Sequence, residues 1–389
     1  MAQLINHLNK RRVQLIQVHS IFNNRSYNGY NKKVLLSGIC KYYRRGMYDK
    51  FLWCVMEMVL FKYHKKGICL VTNVINRMRI LIMEELLFSE NISVIIEAIH
   101  MIESINQKTM NIEEIMQRIY SFCKIVKQCN RSRAVSYFKE WFRYEGEAGF
   151  TIPFVLSAID ENNTNYELVE SFKKTGDSPK LLQLGESLLK TLEEDDLYEK
   201  SRIIMRLYWE FVKIKDGSGR RYRRKKGIYL FWEIMDSYMK KKGAKVAQKW
   251  EVIFKFGLTQ YFREQLRERN AFGIWMILYC IYSDRIEWDN EIKDSDSVLC
   301  DIGEVLEYMK IRETSDVQVD EDFVIKDWHV NRAYDIGQFA RIGAYVKNEK
   351  NIVIDETLYN NMKKYFIKKK TKIGNKERTR SLSRSNRNM

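Results

Sequence analysis

The stretch DKFLWCVMEMVLF, residues 49–61, decides the fold class. Leu52, Val55, Met56 and Val59 recur at spacings of 3, 4 and 7, which is the period of one face of an α-helix. Asp49 stands ahead of them and is a residue type that caps a first turn. The same period continues on both sides. Upstream, VLLSGICKYYRR (34–45) reads as a helix that breaks at Gly46. Downstream, Ile75, Met78, Ile82 and Leu86 stripe residues 70–88, and Ile95, Ile99 and Ile102 stripe 91–105. Asn111 and Glu114 have the spacing of a capping box ahead of IMQRIYSFCKIV. A further helix is expected over 131–143, ending in YFKEWFRY (137–144). Residues 34–145 thus read as about five helices joined by short connections, a bundle-like unit.

Residues 1–33 are polar and asparagine-rich, and read as a short helix followed by a loop. A break over 145–165 holds the turn-forming runs EGEAGFTIP and DENNTN. A second helical domain is expected over 166–283. It opens at Ser178-Pro179, a capping serine followed by proline at the first helical position. Leucines 181, 182, 184, 188, 189 and 192 make the following helix amphipathic. Further helices are expected over 197–214, 227–241, 246–268 and 271–283, with Trp209, Trp232, Trp250 and Trp275 as core residues. Residues 284–370 read as an acidic, looser connector over 284–322 and a C-terminal helical segment. Residues 371–389 form a basic tail with too few apolar residues to order by themselves.

Composition agrees with an all-α class. The 389 residues contain 2 prolines and 18 glycines, with 45% hydrophobic and 30% charged residues. About 19 prolines would be usual at ~5%. The deficit favours uninterrupted helices, because proline removes a ladder donor and clashes with the preceding turn. The longest apolar run, FGIWMILYCIY (272–282), is shorter than the ~20 residues that span a bilayer, and MAQLINHLNKRR lacks a signal-peptide core. Seven cysteines, at 40, 54, 69, 123, 129, 280 and 300, form no CxxC pair. They are expected as buried free thiols in a reducing setting, which places the protein in the cytoplasm or nucleus, or in a virion.

The net charge is +17, and two segments hold it. Residues 361–389 carry 11 Lys/Arg against Glu377 alone, and residues 213–226 carry eight against Asp216 alone. The rest of the chain is neutral in sum. Within DGSGRRYRRKKG (216–227), Arg220, Arg221, Arg223, Arg224, Lys225 and Lys226 flank Tyr222. Guanidinium forks suit phosphates and a tyrosine ring stacks on a base. With Lys368, Lys369 and Lys370 in the C-terminal cluster, these are the candidate nucleic-acid contacts. Clustered cations of this kind neutralise phosphates and release counterions. A localisation signal or an acidic protein surface is the alternative use of such a run.

No cofactor and no metal are expected. GxxxxGK[ST] is absent, no GxGxxG follows a strand-like run, and the histidines at 7, 19, 64, 100 and 329 are scattered without HExxH. One stretch, VIKDWHVNRAYDIG (324–337), resembles in Asp327-x-His329-Val330 the Asp-x-His-Val segment of helix-hairpin-helix DNA glycosylases, where the aspartate is catalytic. The glycine-rich hairpin of those enzymes has no counterpart upstream, since residues 298–322 contain only Gly303. The plainer reading has Asp327 capping a helix.

A wider resemblance follows the order of four motifs: LLSGICKYYRRG (35–46), Trp53 in FLWCVMEM, Arg77 and Arg79 in NRMRILIMEEL, and NRSRAVSY (130–137). On these, residues 34–145 resemble the helical C-terminal region of the replication-associated recombination protein A family, AAA+ ATPases related to clamp loaders. The chain departs from that family at Glu84-Glu85, where the family has Glu-Asp, and at Asn130-Arg131, in place of Pro-Lys. The family's ATPase motifs are absent from the sequence. Residues 323–356 resemble an Asp-x-His-Thr-x-Arg segment found after that region in distant relatives. The resemblance implies a collar-type or oligomerising helical module in DNA replication or repair; it does not imply ATPase activity. The expected function is therefore a non-enzymatic, nucleic-acid-associated accessory protein whose body contacts protein partners or further copies of itself. A structural or virion assembly protein with basic packaging elements is the alternative, and a glycosylase acting through Asp327 is a third reading.

Overall fold

The computed structural model describes Ser26 and residues 30–60, 68–86, 92–131, 135–136, 138, 167–214, 227–263, 266–294 and 296–314. Among these the fold is all-α. Eleven α-helices occur: α1 (Lys32–Arg44), α2 (Tyr48–Val59), α3 (Ile68–Glu85), α4 (Ile92–Glu103), α5 (Ile112–Lys127), α6 (Pro179–Leu192), α7 (Leu197–Lys213), α8 (Ile228–Lys241), α9 (Ala244–Arg263), α10 (Leu266–Ile281) and α11 (Ile302–Thr314). Short 3₁₀ turns occupy Glu170–Phe172 and Ser283–Arg285. An isolated antiparallel bridge joins Leu86 and Arg131. The chain divides into two units. The first comprises residues 1–134, 251–257 and 287–333; the second comprises 135–250, 258–286 and 334–389.

In the first unit, α1 and α2 form a helical hairpin. Asn31 caps α1, its side chain accepting from the Lys33 amide at 2.9 Å. The helix ends at Gly46, whose φ is +72°. The Gly46 amide donates to Tyr43 O at 2.9 Å and the Met47 amide to Tyr42 O at 2.9 Å. This is the paired closure of a Schellman turn, which places a left-handed residue where glycine is least strained. The turn is so tight that α2 begins at once. Met47, not Asp49, occupies its N-cap position, and no side chain caps it. Asp49 lies inside the first turn instead, where a carboxylate favours the positive helix end.

Helix α2 is also buried more completely than a single stripe predicts. Trp53, Cys54 and Met58 are buried with Val55, Met56 and Val59, while Leu52 is only half-buried. Even Glu57 is fully buried, and accepts from Ser26 Oγ at 2.6 Å. The other stripes hold as the spacing predicts. Ile75, Met78, Ile82 and Leu86 are all buried, as are Ile95, Ile99 and Ile102. The capping box is complete: the Glu114 amide donates to Asn111 Oδ1 at 2.9 Å and the Asn111 amide to Glu114 Oε2 at 3.1 Å.

The acidic stretch after residue 284, expected as loose, corrects the sequence reading. Residues 287–309 strap across α4 and α5. Ser93 Oγ donates to Asn290 O, the Lys293 amide to Glu97 Oε1, and Gln117 Nε2 to Cys300 O, at 2.8, 2.9 and 2.8 Å. The strap then enters α11, where Val305 and Met309 are fully buried. Tyr120 Oη and Lys124 Nζ both reach Glu304 Oε1 at 2.8 Å. Two of its acids meet basic residues of α5, Asp296 with Arg118 and Glu304 with Lys124.

In the second unit, Ser178 caps α6 with Pro179 at its first position, the serine side chain accepting from the Leu181 amide. Leu181, Leu182, Leu184, Leu188 and Leu192 are buried, and Leu189 is half-buried. Trp232, Trp250 and Trp275 lie wholly inside, whereas Trp209 is half-buried. Phe231, Tyr208 and Tyr261 meet Trp232 with centroids 4.9, 5.9 and 5.5 Å away, in tilted and edge-on contacts that aromatic quadrupoles favour. Trp250 Nε1 donates to Asp236 Oδ1 at 3.0 Å. The apolar run 272–282 fills this core. Among the described residues, no helix is long and apolar enough to cross a membrane.

Candidate nucleic-acid interface

The basic loop leaves the second unit between α7 and α8. Its described ends are residues 214 and 227, and they touch. A Cβ added to Gly227 would stand 2.8 Å from Ile214 Cγ2, 2.9 Å from Ile214 Cβ and 3.3 Å from Leu181 Cδ1. Gly227 has φ −68° and ψ −27°, so its lack of a side chain serves close approach and not an unusual backbone. Ile214 is 9% exposed and Ile228 1%. Apolar side chains therefore close the base of a twelve-residue excursion that carries seven cations and one acid, Asp216.

Around this base the charges are already matched. Glu210 takes both Arg206 Nη2 at 3.2 Å and Lys213 Nζ at 3.0 Å, so Lys213 belongs to α7 and not to the loop's free charge. Next to Ile228, Tyr229 donates to Asp177 Oδ2. Lys174 Nζ lies 4.1 Å from the Tyr229 ring centroid and pairs with Glu233. The rim is thus close to neutral, while the sequence of 215–226 carries seven cations and one acid. Arg220, Arg221, Tyr222, Arg223, Arg224, Lys225 and Lys226 lie outside the described residues, as do Lys368, Lys369 and Lys370. Asp327 and His329 lie outside them too.

Counting charge along the sequence misses a further group. Lys127 and Arg131 stand four residues apart at and just past the end of α5, and Lys50 stands 77 positions before Lys127 in the same unit. The fold brings them to the α1–α2 turn. Lys50 Nζ lies 5.6 Å from the Tyr42 ring and Lys127 Nζ 5.7 Å from the Tyr48 ring. Arg131 Nη1 donates to Arg44 O at 3.4 Å. Tyr43 fixes the α5 side of the turn: its hydroxyl donates to Val126 O at 2.7 Å, and its ring meets that of Tyr48 edge-on at 5.8 Å.

The described thiols offer no reactive centre of comparable definition. Cys40, Cys54, Cys123, Cys129 and Cys280 are buried and free, and Cys300 is half-buried. Burial pushes Cys40 up to about 11 and Cys129 up to about 12, and raises Cys123 and Cys280 well above the ordinary thiol range. A thiol held protonated is a poor nucleophile at neutral pH. No group of three or more metal-ligating side chains forms among the described residues.

Compared with protein-family models, curated proteins and solved structures, the chain has no significant match.

Proposed function

We propose that the protein is a non-enzymatic, nucleic-acid-associated accessory protein that holds phosphate backbones through its 215–226 loop and its C-terminal basic segment. One observation carries this reading: nearly all of the net charge of +17 falls in two short segments, +6 within 215–226 and +10 within 361–389. Many cations of the body are instead committed to carboxylates, as in Arg44–Glu85, Arg118–Asp296, Lys124–Glu304 and Lys242–Asp284. Contiguous cations with few acids among them suit phosphates, whose counterions they displace. The close approach of Ile214 and Gly227 is compatible with the same reading, because the two ends of the basic segment meet. The resemblance of residues 34–145 to a clamp-loader collar supports a role in DNA replication or recombination, with the helical body contacting protein partners.

The test is the salt dependence of binding to random-sequence duplex and single strands. Changing Arg220, Arg221, Arg223 and Arg224 to alanine in the full chain should weaken binding evenly across sequences. It should also flatten the log–log salt slope on duplex by about 0.9 for each phosphate no longer neutralised. Changing Lys368, Lys369 and Lys370 should act additively. A quadruple variant that binds as well as the parent makes the loop a solvated connection. Weaker binding to one sequence alone makes it a base reader.

A further inference from the structure

We infer that the α1–α2 turn is a third phosphate-binding surface, built by Lys50, Lys127 and Arg131 on the helical body itself. The inference rests on nucleic acid being the partner, and extends the contact from the two basic segments to the folded first unit.

Among the described residues these cations form no ion pair with a carboxylate. Glu85 is 1% exposed and is occupied by Arg44, whose Nε donates to it at 2.9 Å. Asp49 is the carboxylate left on the turn, against three cations that form no ion pair among the described residues. Lys127 has a local explanation, since it ends α5, where the helix dipole favours positive charge. Lys50 has the opposite setting. It stands in the first turn of α2, at the positive end of the helix, where a cation is disfavoured. A bound anion would offset that placement.

Two of the three positions are fixed by contacts of their own segments. Lys127 is carried by α5, which the Tyr43–Val126 hydrogen bond ties to α1. Arg131 is placed by its bridge to Leu86 and its bond to Arg44 O, and Gly46 leaves room for the guanidinium. A forked guanidinium with two point-charge ammonium groups on one turn suits successive backbone phosphates and carries no base information. Three contacts would contribute about 2.7 to the salt slope on duplex DNA.

The experiment uses the full chain and labelled random-sequence duplex and single strands over a range of salt. The Lys50→Gln/Lys127→Gln double variant leaves Arg131 and its backbone bond intact. It should raise Kd about tenfold near 0.1 M salt and lower the duplex slope by about 2. Adding Arg131→Gln should lower the slope by about one more. Lys173→Gln/Lys190→Gln removes the same charge from cations paired with Glu170 and Glu186, and should change little. An equal loss in that control would reduce the effect to net charge and overturn the inference. So would a double variant, shown folded by circular dichroism, whose Kd and slope match the parent. If the turn variants bind normally while the loop variants lose binding, this inference fails and the proposed function stands. If the loop and tail variants bind normally while the turn variants lose binding, the proposed contacts fail and the turn stands. Binding to phosphatidylserine vesicles with none to nucleic acid overturns both.

Discussion

The guanidinium of Arg131 lies against Gly46: a Cβ built on Gly46 would stand 2.5 Å from Arg131 Nη1 and 3.2 Å from Cζ. Two constraints therefore meet at one residue. The backbone needs a left-handed φ of +72° to close α1, and the side chain of a residue 85 positions away needs the space.

Gly46→Ala should accordingly destabilise the protein by about 1–2 kcal/mol, more than loss of glycine freedom alone. Arg131→Ala in the same background should recover the steric part and leave the backbone part. The measurement is a double-mutant cycle on denaturant midpoints. Strict additivity would show that the two side chains do not compete for the space.

Gly227→Ala provides the contrasting case. Its backbone angles are ordinary for any residue, so the cost is purely the crowding by Ile214. The single variant should lose about 1–3 kcal/mol, the range for overpacking. Gly227→Ala/Ile214→Ala should lose less than the two single variants combined. A Gly227→Ala protein as stable as the parent would mean that the loop base is looser than the close approach implies.

The capping box should show coupling as well. Asn111→Ala should cost about 1 kcal/mol. Glu114→Ala should matter less once Asn111 is gone, because the two groups satisfy each other's amides. Chemical denaturation of both single variants and the double variant measures this directly.

The strap has a pH signature. The hydrogen bond from Lys124, then that from Tyr120, holds the Glu304 carboxyl below its ordinary value of 4.5. A depressed carboxylate contributes stability above its unfolded-state pKa and loses it as pH falls through the folded one. Glu304 is 46% exposed, so screening limits the gain to a few tenths of a kcal/mol, about 0.3–0.5. Glu304→Gln should be less stable than the parent by that amount at neutral pH. The gap should close as pH falls through the folded-state pKa of Glu304. A gap that persists below it would assign the effect to packing.

Among the described thiols, Cys300 should react first with a disulfide reagent in the native protein. It is half-buried, while the other five are closed off. Its rate should still fall below that of a free thiol, since burial raises its pKa. Mass mapping of the modified chain identifies the site.

What the sequence determined alone is the local part. Helical class follows from 3.6-residue periodicity and scarce proline, because both act within a few turns. Asn111–Glu114 and Ser178-Pro179 are legible for the same reason: a cap needs only neighbours three residues apart. The charge of 215–226 and 361–389 is readable because like residues are contiguous. Tertiary structure decided the rest. Asp49 lost the cap position to Met47 because the Schellman turn at Gly46 leaves no room before α2. Residues 287–309 look like a connector until their carboxylates and backbone groups meet Gln117, Tyr120 and Lys124, more than 170 positions away. Lys50 shares a turn with Lys127 and Arg131 only once Tyr43 fastens α5 to α1. Long-range pairing leaves no period in the sequence, since each partner obeys only its own helix, and contact between them is set by packing alone.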